Sequence, residues 1–176
     1  MVAGGSLKPF ATYLPIVEVL DIMNLQWSSA SNLPLPLLQT YPQMTLCDGF
    51  LYISANNRAF SCSLISLLTP PSSTKKGADN SAWIRLCDVP VVYGSSLVTH
   101  RGRVLSIGGA TSVLGVKATG VIHCYNTLNQ SWDLLGAIPT PRSRILAAVL
   151  PNNELMVMGG KSTQGTCRIN EIGLLS

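Results

Sequence analysis

The side chains with the widest chemical range in this 176-residue sequence are five cysteines, Cys47, Cys62, Cys87, Cys124 and Cys167. Their number is odd, their spacing is wide and no Cys-x-x-Cys pair occurs, so neither a disulfide framework nor a zinc site is indicated. They read as reduced, buried thiols, since a reactive thiolate needs a positive and exposed setting that the neighbouring residues do not supply. A serine or cysteine nucleophile would also need a base and an orienting group. Only two histidines exist, His100 at a turn and His123 within an apolar run. The acids Asp21, Asp48, Asp79, Asp88, Asp133 and Glu154 fall mostly at turns, where carboxylates bond the local backbone, and form no acid/base pair. Gly108-Gly109-Ala110 and Gly159-Gly160-Lys161 lack both the spacing of a phosphate-binding loop and the helix that would follow it. The expectation is no catalytic residue, no cofactor and no metal ligand.

What the chemistry lacks, the composition explains. Hydrophobic residues make up 47% and charged residues only 11%, which excludes disorder and favours sheets covered on both faces over amphipathic helices with a solvated side. Twelve Lys and Arg against eight Asp and Glu give +4, but the cations are scattered and only Lys75-Lys76 are adjacent. A nucleic-acid footprint needs a clustered basic stripe, so nucleic acid is not an expected partner. No apolar run reaches the ~20 residues that span a bilayer, and residues 1–12 lack the pattern of a secretory leader, so no membrane is expected and the location reads as cytoplasmic. Asn129-Gln130-Ser131 matches the glycosylation acceptor pattern but reads as a turn.

Self-similarity is the strongest signal in the chain. Three segments share one grammar, an apolar run, a two-residue turn and a second apolar run ending in small residues. The turns are Asp48-Gly49, Arg101-Gly102 and Asn152-Asn153, spaced by 53 and then 51 residues. The runs that follow them end on Ser54-Ala55, Gly108-Gly109 and Gly159-Gly160. An interleaved element leads from Asp21 to Trp27 and from Asn126 to Trp132, six steps each, with Trp83 as the middle copy. Pro34, Pro90 and Pro139 follow the tryptophans and end the strands.

This spacing predicts a four-stranded antiparallel sheet of about 50 residues, with strands a, b, c and d and a tight a–b turn. The tryptophan at the start of strand d fills the space between adjacent sheets, and the Gly-Gly after strand b admits a close approach of the neighbouring chain. One such sheet cannot cover both of its faces, so several must stack.

The order Tyr125-Asn126, Asn129-Gln130-Ser131-Trp132, Ile138-Pro139, Pro141-Arg142-Ser143 and then Leu155 to Gly160 resembles the kelch repeat family. The resemblance covers about residues 16–172 and implies a kelch-type β-propeller, all-β, of which this chain supplies about three four-stranded blades. Residues 1–15 read as an N-terminal extension and 173–176 as a tail, with repeat units at about 16–41, 42–92, 93–143 and 144–172. The first copy departs from the family pattern, with Ser54-Ala55 in place of Gly-Gly and no Pro-Arg before strand a. Propellers typically need at least four blades. The chain therefore reads as a segment of a longer propeller, or as one of two chains that complete a ring, with self-association through open blade edges.

Blade geometry sends the d–a and b–c connections to one face, which kelch adaptors use to bind peptides or proteins. The d–a segments are residues 34–42, 90–94 and 139–144, and the b–c segments 55–59, 110–119 and 161–166. They carry Tyr41, Arg58, Tyr93, Lys117, Arg142, Arg144 and Lys161, five cations and no acid, as candidate protein-binding residues. Arginine and tyrosine are the usual interface anchors. An acidic peptide or protein is the expected partner, and the expected function is a non-catalytic interaction module or scaffold. The resemblance extends this to a substrate receptor of a ubiquitin ligase. Its alternatives are a galactose-oxidase-like copper oxidase and a scaffold for cytoskeletal filaments.

Overall fold

A computed structural model describes residues 2–3, 16–30, 32–33, 42–69, 82–91, 93–112, 117–163 and 172–175 of the chain. Four antiparallel sheets follow one another along the sequence. The first holds β1 (Val2–Ala3), β2 (Val17–Asp21) and β3 (Gln26–Ser29). The second holds β4 (Gln43–Cys47), β5 (Phe50–Ala55), β6 (Arg58–Ser63) and β7 (Ile84–Arg85), with the one-turn helix α1 (Leu64–Leu68) after β6. The third comprises β8 (Ser96–His100), β9 (Arg103–Ile107), β10 (Val121–Asn126) and β11 (Ser131–Ala137). The fourth comprises β12 (Leu146–Val149), β13 (Leu155–Met158) and β14 (Ile172–Leu175).

Each sheet is a meander, and β4, β8 and β12 are the a strands. Across sheets these a strands pack on one another, β4 against β8 and β8 against β12, so the sheets converge at their inner edges and radiate outward. Hydrogen bonds tie the inner edges at one-repeat spacing: the Thr45 and Thr99 hydroxyls meet at 3.0 Å, and the Ala147 amide donates to Ser96 Oγ at 3.0 Å. The fold is therefore all-β, a segment of a kelch-type propeller, with two complete blades between two three-stranded sheets.

The tight turns follow from local chemistry. At Asp48-Gly49 both residues have positive φ, 47° and 77°, and at Arg101-Gly102 the values are 50° and 69°. These are the two-residue turns whose twist matches flanking strands. The third turn differs from the two-residue Asn152-Asn153 reading. Leu150 pairs with Glu154, the Asn153 amide donates to Leu150 O at 2.9 Å, and Asn153 sits at φ 68°. Pro151 causes the shift: its ring presets the first turn position, so the reversal starts one residue earlier and closes on a left-handed Asn153.

The b–c connection of the second sheet also differs from the sequence reading. Ala55 pairs with Arg58, leaving a two-residue turn at Asn56-Asn57 instead of a loop over 55–59. Ser54-Ala55 stays within β5, whereas Gly108-Gly109 and Gly159-Gly160 leave their strands with positive φ throughout. At the chain ends, β1 lies within residues 1–15 and pairs with β2, while β14 runs past residue 172 to Leu175.

The tryptophans fill the gaps between sheets. Trp83 is 6% exposed and packs with Val17 and Leu33 of the preceding sheet. Trp132 packs beside Tyr125, ring centroids 5.2 Å apart, and donates from Nε1 to Cys87 O of the second sheet at 3.2 Å. Trp27, in the first of the sheets that the described residues form, is 56% exposed. Cys47 and Cys62 are buried, Cys87 and Cys124 are half-buried, and burial pushes all four thiols above their ordinary value, which keeps them protonated. Cys167 lies outside the described residues.

Candidate protein-binding face

The d–a and b–c connections form one face, and backbone pairing knits them together. Tyr93 and Ala110 exchange two hydrogen bonds, 3.2 and 2.7 Å, and Ser143 and Lys161 exchange two more, 3.0 and 2.8 Å. The Arg144 amide donates to Gly94 O at 2.7 Å, which joins the d–a segment of the third sheet to that of the second. Gly-Gly makes this possible. A Cβ on Gly109 would stand 2.5 Å from Val91 Cγ1 and 2.9 Å from Tyr93 O, so only glycine allows the two segments to lie in contact.

Within that frame Arg144 is exposed, and its guanidinium carbon lies 5.2 Å from the centroid of the half-buried Tyr93 ring, a cation–π contact. The Arg144 backbone is left-handed, φ 56°, which turns the side chain back over Tyr93. Beside the pair is a cavity of about 330 Å³ lined by Gln43, Gly94, Ser95, Arg144 and Ile145. These residues stand at the starts of β4, β8 and β12, so the cavity opens where the inner strands converge. Of its lining residues Arg144 alone is charged, and Gln43 and Ser95 are polar.

The other sequence-derived residues separate into three groups. Arg58, Lys117 and Lys161 are exposed, and Lys161 is tied by backbone to the residue next to Arg144. Tyr41 lies outside the described residues. Arg142 departs from its expected place as an exposed anchor: it is 2% exposed and heads the fully buried side chains by volume. Its backbone explains why, since Arg142 O accepts from Gly109 N at 2.9 Å and Arg142 N donates to Thr119 O at 3.3 Å, holding the residue beneath the loops. The Pro-Arg step thus packs the blade junction.

The face also contains an acid that the sequence reading left out. Asp88 accepts from Asn57 Nδ2 at 3.2 Å and from Arg85 at 2.9 Å, so it belongs beside the Asn56-Asn57 turn, with its charge matched by Arg85. Gln43, Ser95 and Ile145 were likewise not singled out. Their signal was their place one residue before or at the start of each inner strand. Among the described residues, no group of three His, Cys, Asp or Glu side chains comes together, and no helix is long and apolar enough to cross a membrane.

Radial sheets, inter-sheet tryptophans and Gly-Gly-pinned loops define the class, and known proteins agree with it. Kelch-like protein 41b of Danio rerio is 30% identical over 90 residues, 51% of this chain and 14% of that one. Beta-scruin of Limulus polyphemus is 28% identical over 85 residues, 46% of this chain and 9% of that one. The solved structure of YjhT superposes with a TM-score of 0.64 at 15% identity, over 92% of this chain and 49% of that one. No protein-family model matches. Over about half of its length the chain is similar in sequence to these two relatives, and it folds as a section of a kelch-type β-propeller. It spans about half of that solved chain and under a sixth of the two relatives.

Proposed function

We propose that the chain is a non-catalytic protein-interaction module whose d–a and b–c face captures an acidic segment of a partner. The observation that carries this reading is Arg144, exposed, held over Tyr93 and lining the cavity with Gln43 and Ser95. A guanidinium ordered before binding loses less entropy when it grips a carboxylate, and its fork matches both carboxylate oxygens. Lys161, Lys117 and Arg58 add positive charge around it, which speeds the approach of an acidic chain more than it tightens the complex. Presenting a captured segment to a ubiquitin ligase is one use of such a face and requires a ligase-recruiting element alongside the propeller.

The test is titration of the chain with an acetylated, amidated hexapeptide containing two adjacent glutamates, against its glutamine counterpart. Arg144→Gln is expected to weaken glutamate-peptide binding about ten-fold and leave thermal stability unchanged, whereas Arg142→Ala is expected to lower stability by about 3 kcal/mol or more. Equal binding of the two peptides, or undiminished binding by Arg144→Gln, would overturn the reading.

A further inference from the structure

On the opposite face, the a–b and c–d turns enclose a second cavity, of about 540 Å³, between the second and third sheets. Its floor is aromatic. Tyr52 and Tyr125 approach with ring centroids 6.1 Å apart at 59°. Asp48 lines the cavity with Tyr52, whose phenol is pushed above its ordinary value by burial, then by Cys47 and Asp48 beside it. Asp133 and Arg103 line the same cavity.

The two carboxylates are not equivalent. Asp133 accepts from Asn126 Nδ2 and Ser131 Oγ, both at 2.9 Å, and these bonds hold its carboxyl below the ordinary value. Arg103 is the one cation in the lining, and among the described residues it forms an ion pair with neither carboxylate. Asp48 is without the paired asparagine and serine donors that hold Asp133. The rim is apolar and unpartnered, with Leu128 92% exposed at the c–d turn and Leu134 and Leu135 exposed on β11. An exposed apolar rim of this kind marks a docking surface more often than a neutral one.

A ligand that answers every feature of this cavity has an aliphatic body to cover the leucines and a cation to sit beside Asp48 and the half-buried Tyr52. A lysine or arginine side chain on an apolar stretch of protein has that composition, because its stem covers apolar surface while its head stays polar. We propose that this inter-blade cavity is a second binding site, which receives a lysine or arginine from an apolar, basic segment of a partner protein. The two faces of the propeller then select opposite charges, acidic on the loop side and basic on the turn side, and one chain can hold two different partners at once.

The test uses the full chain and three acetylated, amidated hexapeptides, leucine-rich with lysine, norleucine or glutamate at one central position, followed by calorimetry. The lysine peptide is expected to bind about five-fold or more tightly than the norleucine peptide, and this preference is expected to shrink in high salt. Asp48→Asn should abolish the preference and keep the fold, since asparagine suits the left-handed φ of 47° at this turn. Leu128→Ser should weaken the lysine and norleucine peptides equally, while Arg144→Gln on the other face should change neither. Equal affinity for lysine and norleucine, tightest binding of glutamate, or a lysine preference that survives Asp48→Asn would overturn the proposal.

Discussion

Ser106 on β9 and His123 on β10 are directly opposed across the third sheet, and each buries a polar atom, Oγ and Nδ1, that has no hydrogen-bond partner among the described residues. One repeat earlier the opposed pair at the same place is Ile53 and Phe60, both in the apolar core between the first and second sheets. Alternation with Val104 and Tyr125 turns Ser106 and His123 toward the second sheet, which presents the buried Ser54 and Ser61 in return. The consequence is visible in the packing. The first and last inter-sheet layers are single apolar clusters, whereas the middle one is divided into two, around Cys47 and Leu97 and around Ala59 and Val91.

An unsatisfied buried polar atom costs about 1–3 kcal/mol, more than a hydrogen bond usually returns. Replacing the pair toward the pattern of the preceding blade should therefore stabilise the chain. His123→Phe and Ser106→Ala are each expected to raise unfolding free energy by about 1 kcal/mol in urea titration. A loss of stability in both would show instead that buried water bonds these atoms, and the middle layer would then count as a hydrated seam.

The same histidine gives the chain a pH signature. Burial pulls the His123 imidazole below its ordinary value of 6.5. Above that pH both folded and unfolded forms leave it neutral. As pH falls through 6.5 the unfolded chain takes up a proton that the folded chain refuses, so stability falls, and it stops falling once the native imidazole is itself protonated. Asp21 and Asp133, both held below 3.8 by local hydrogen bonds, lose their own stabilisation only at more acidic pH. Thermal melts between about pH 5 and pH 7 of the chain and of its His123→Phe variant separate this histidine from the rest; His123→Phe should flatten the slope in that window, and an unchanged slope would assign it to another group.

Much of the fold was legible in the sequence because period-2 runs, tryptophans and Gly-Gly steps each have one physical use. Trp83 and Trp132 bridge sheets as their spacing implied, and the Asp48-Gly49 turn holds the dihedrals that its residue types favour, while Arg101 adopts the same left-handed φ with only Gly102 suited to it. Where the reading failed, a residue's type admitted two environments. Arg142 has an interface anchor's chemistry, but its main chain is claimed by Gly109 and Thr119, and the side chain follows it inward. Asn152 and Asn153 look like a tight hairpin until Pro151 is weighed with them. The cavity of Gln43, Ser95 and Arg144 was hidden because its residues come from three repeats, and only the convergence of the inner strands makes them neighbours.

Gly109 and Gly102 separate the two reasons a repeat keeps glycine. Gly102 has φ 69° in an open turn, and a Cβ there would meet nothing within 4 Å. Gly109 has φ 103° and would drive a Cβ to 2.5 Å from Val91 Cγ1, with Ser95 N and Tyr93 O both at 2.9 Å. Gly160 repeats this one blade later, against Ile145 Cγ2 at 2.6 Å and Ser143 O at 2.9 Å. Gly102→Ala should then cost about 1 kcal/mol, the strain of a left-handed residue alone, whereas Gly109→Ala must also push a pair of backbone segments apart and should cost about 3 kcal/mol or more. Because the segment it displaces carries Tyr93 and Ser95, Gly109→Ala should weaken glutamate-peptide capture even at temperatures where the chain stays folded. Urea titration of both variants, with peptide titration of the folded fraction, decides the matter. Equal losses of stability would mean that Gly109 is kept for its dihedral alone, and undiminished capture would mean that the loop cavity does not depend on the close approach of the two segments.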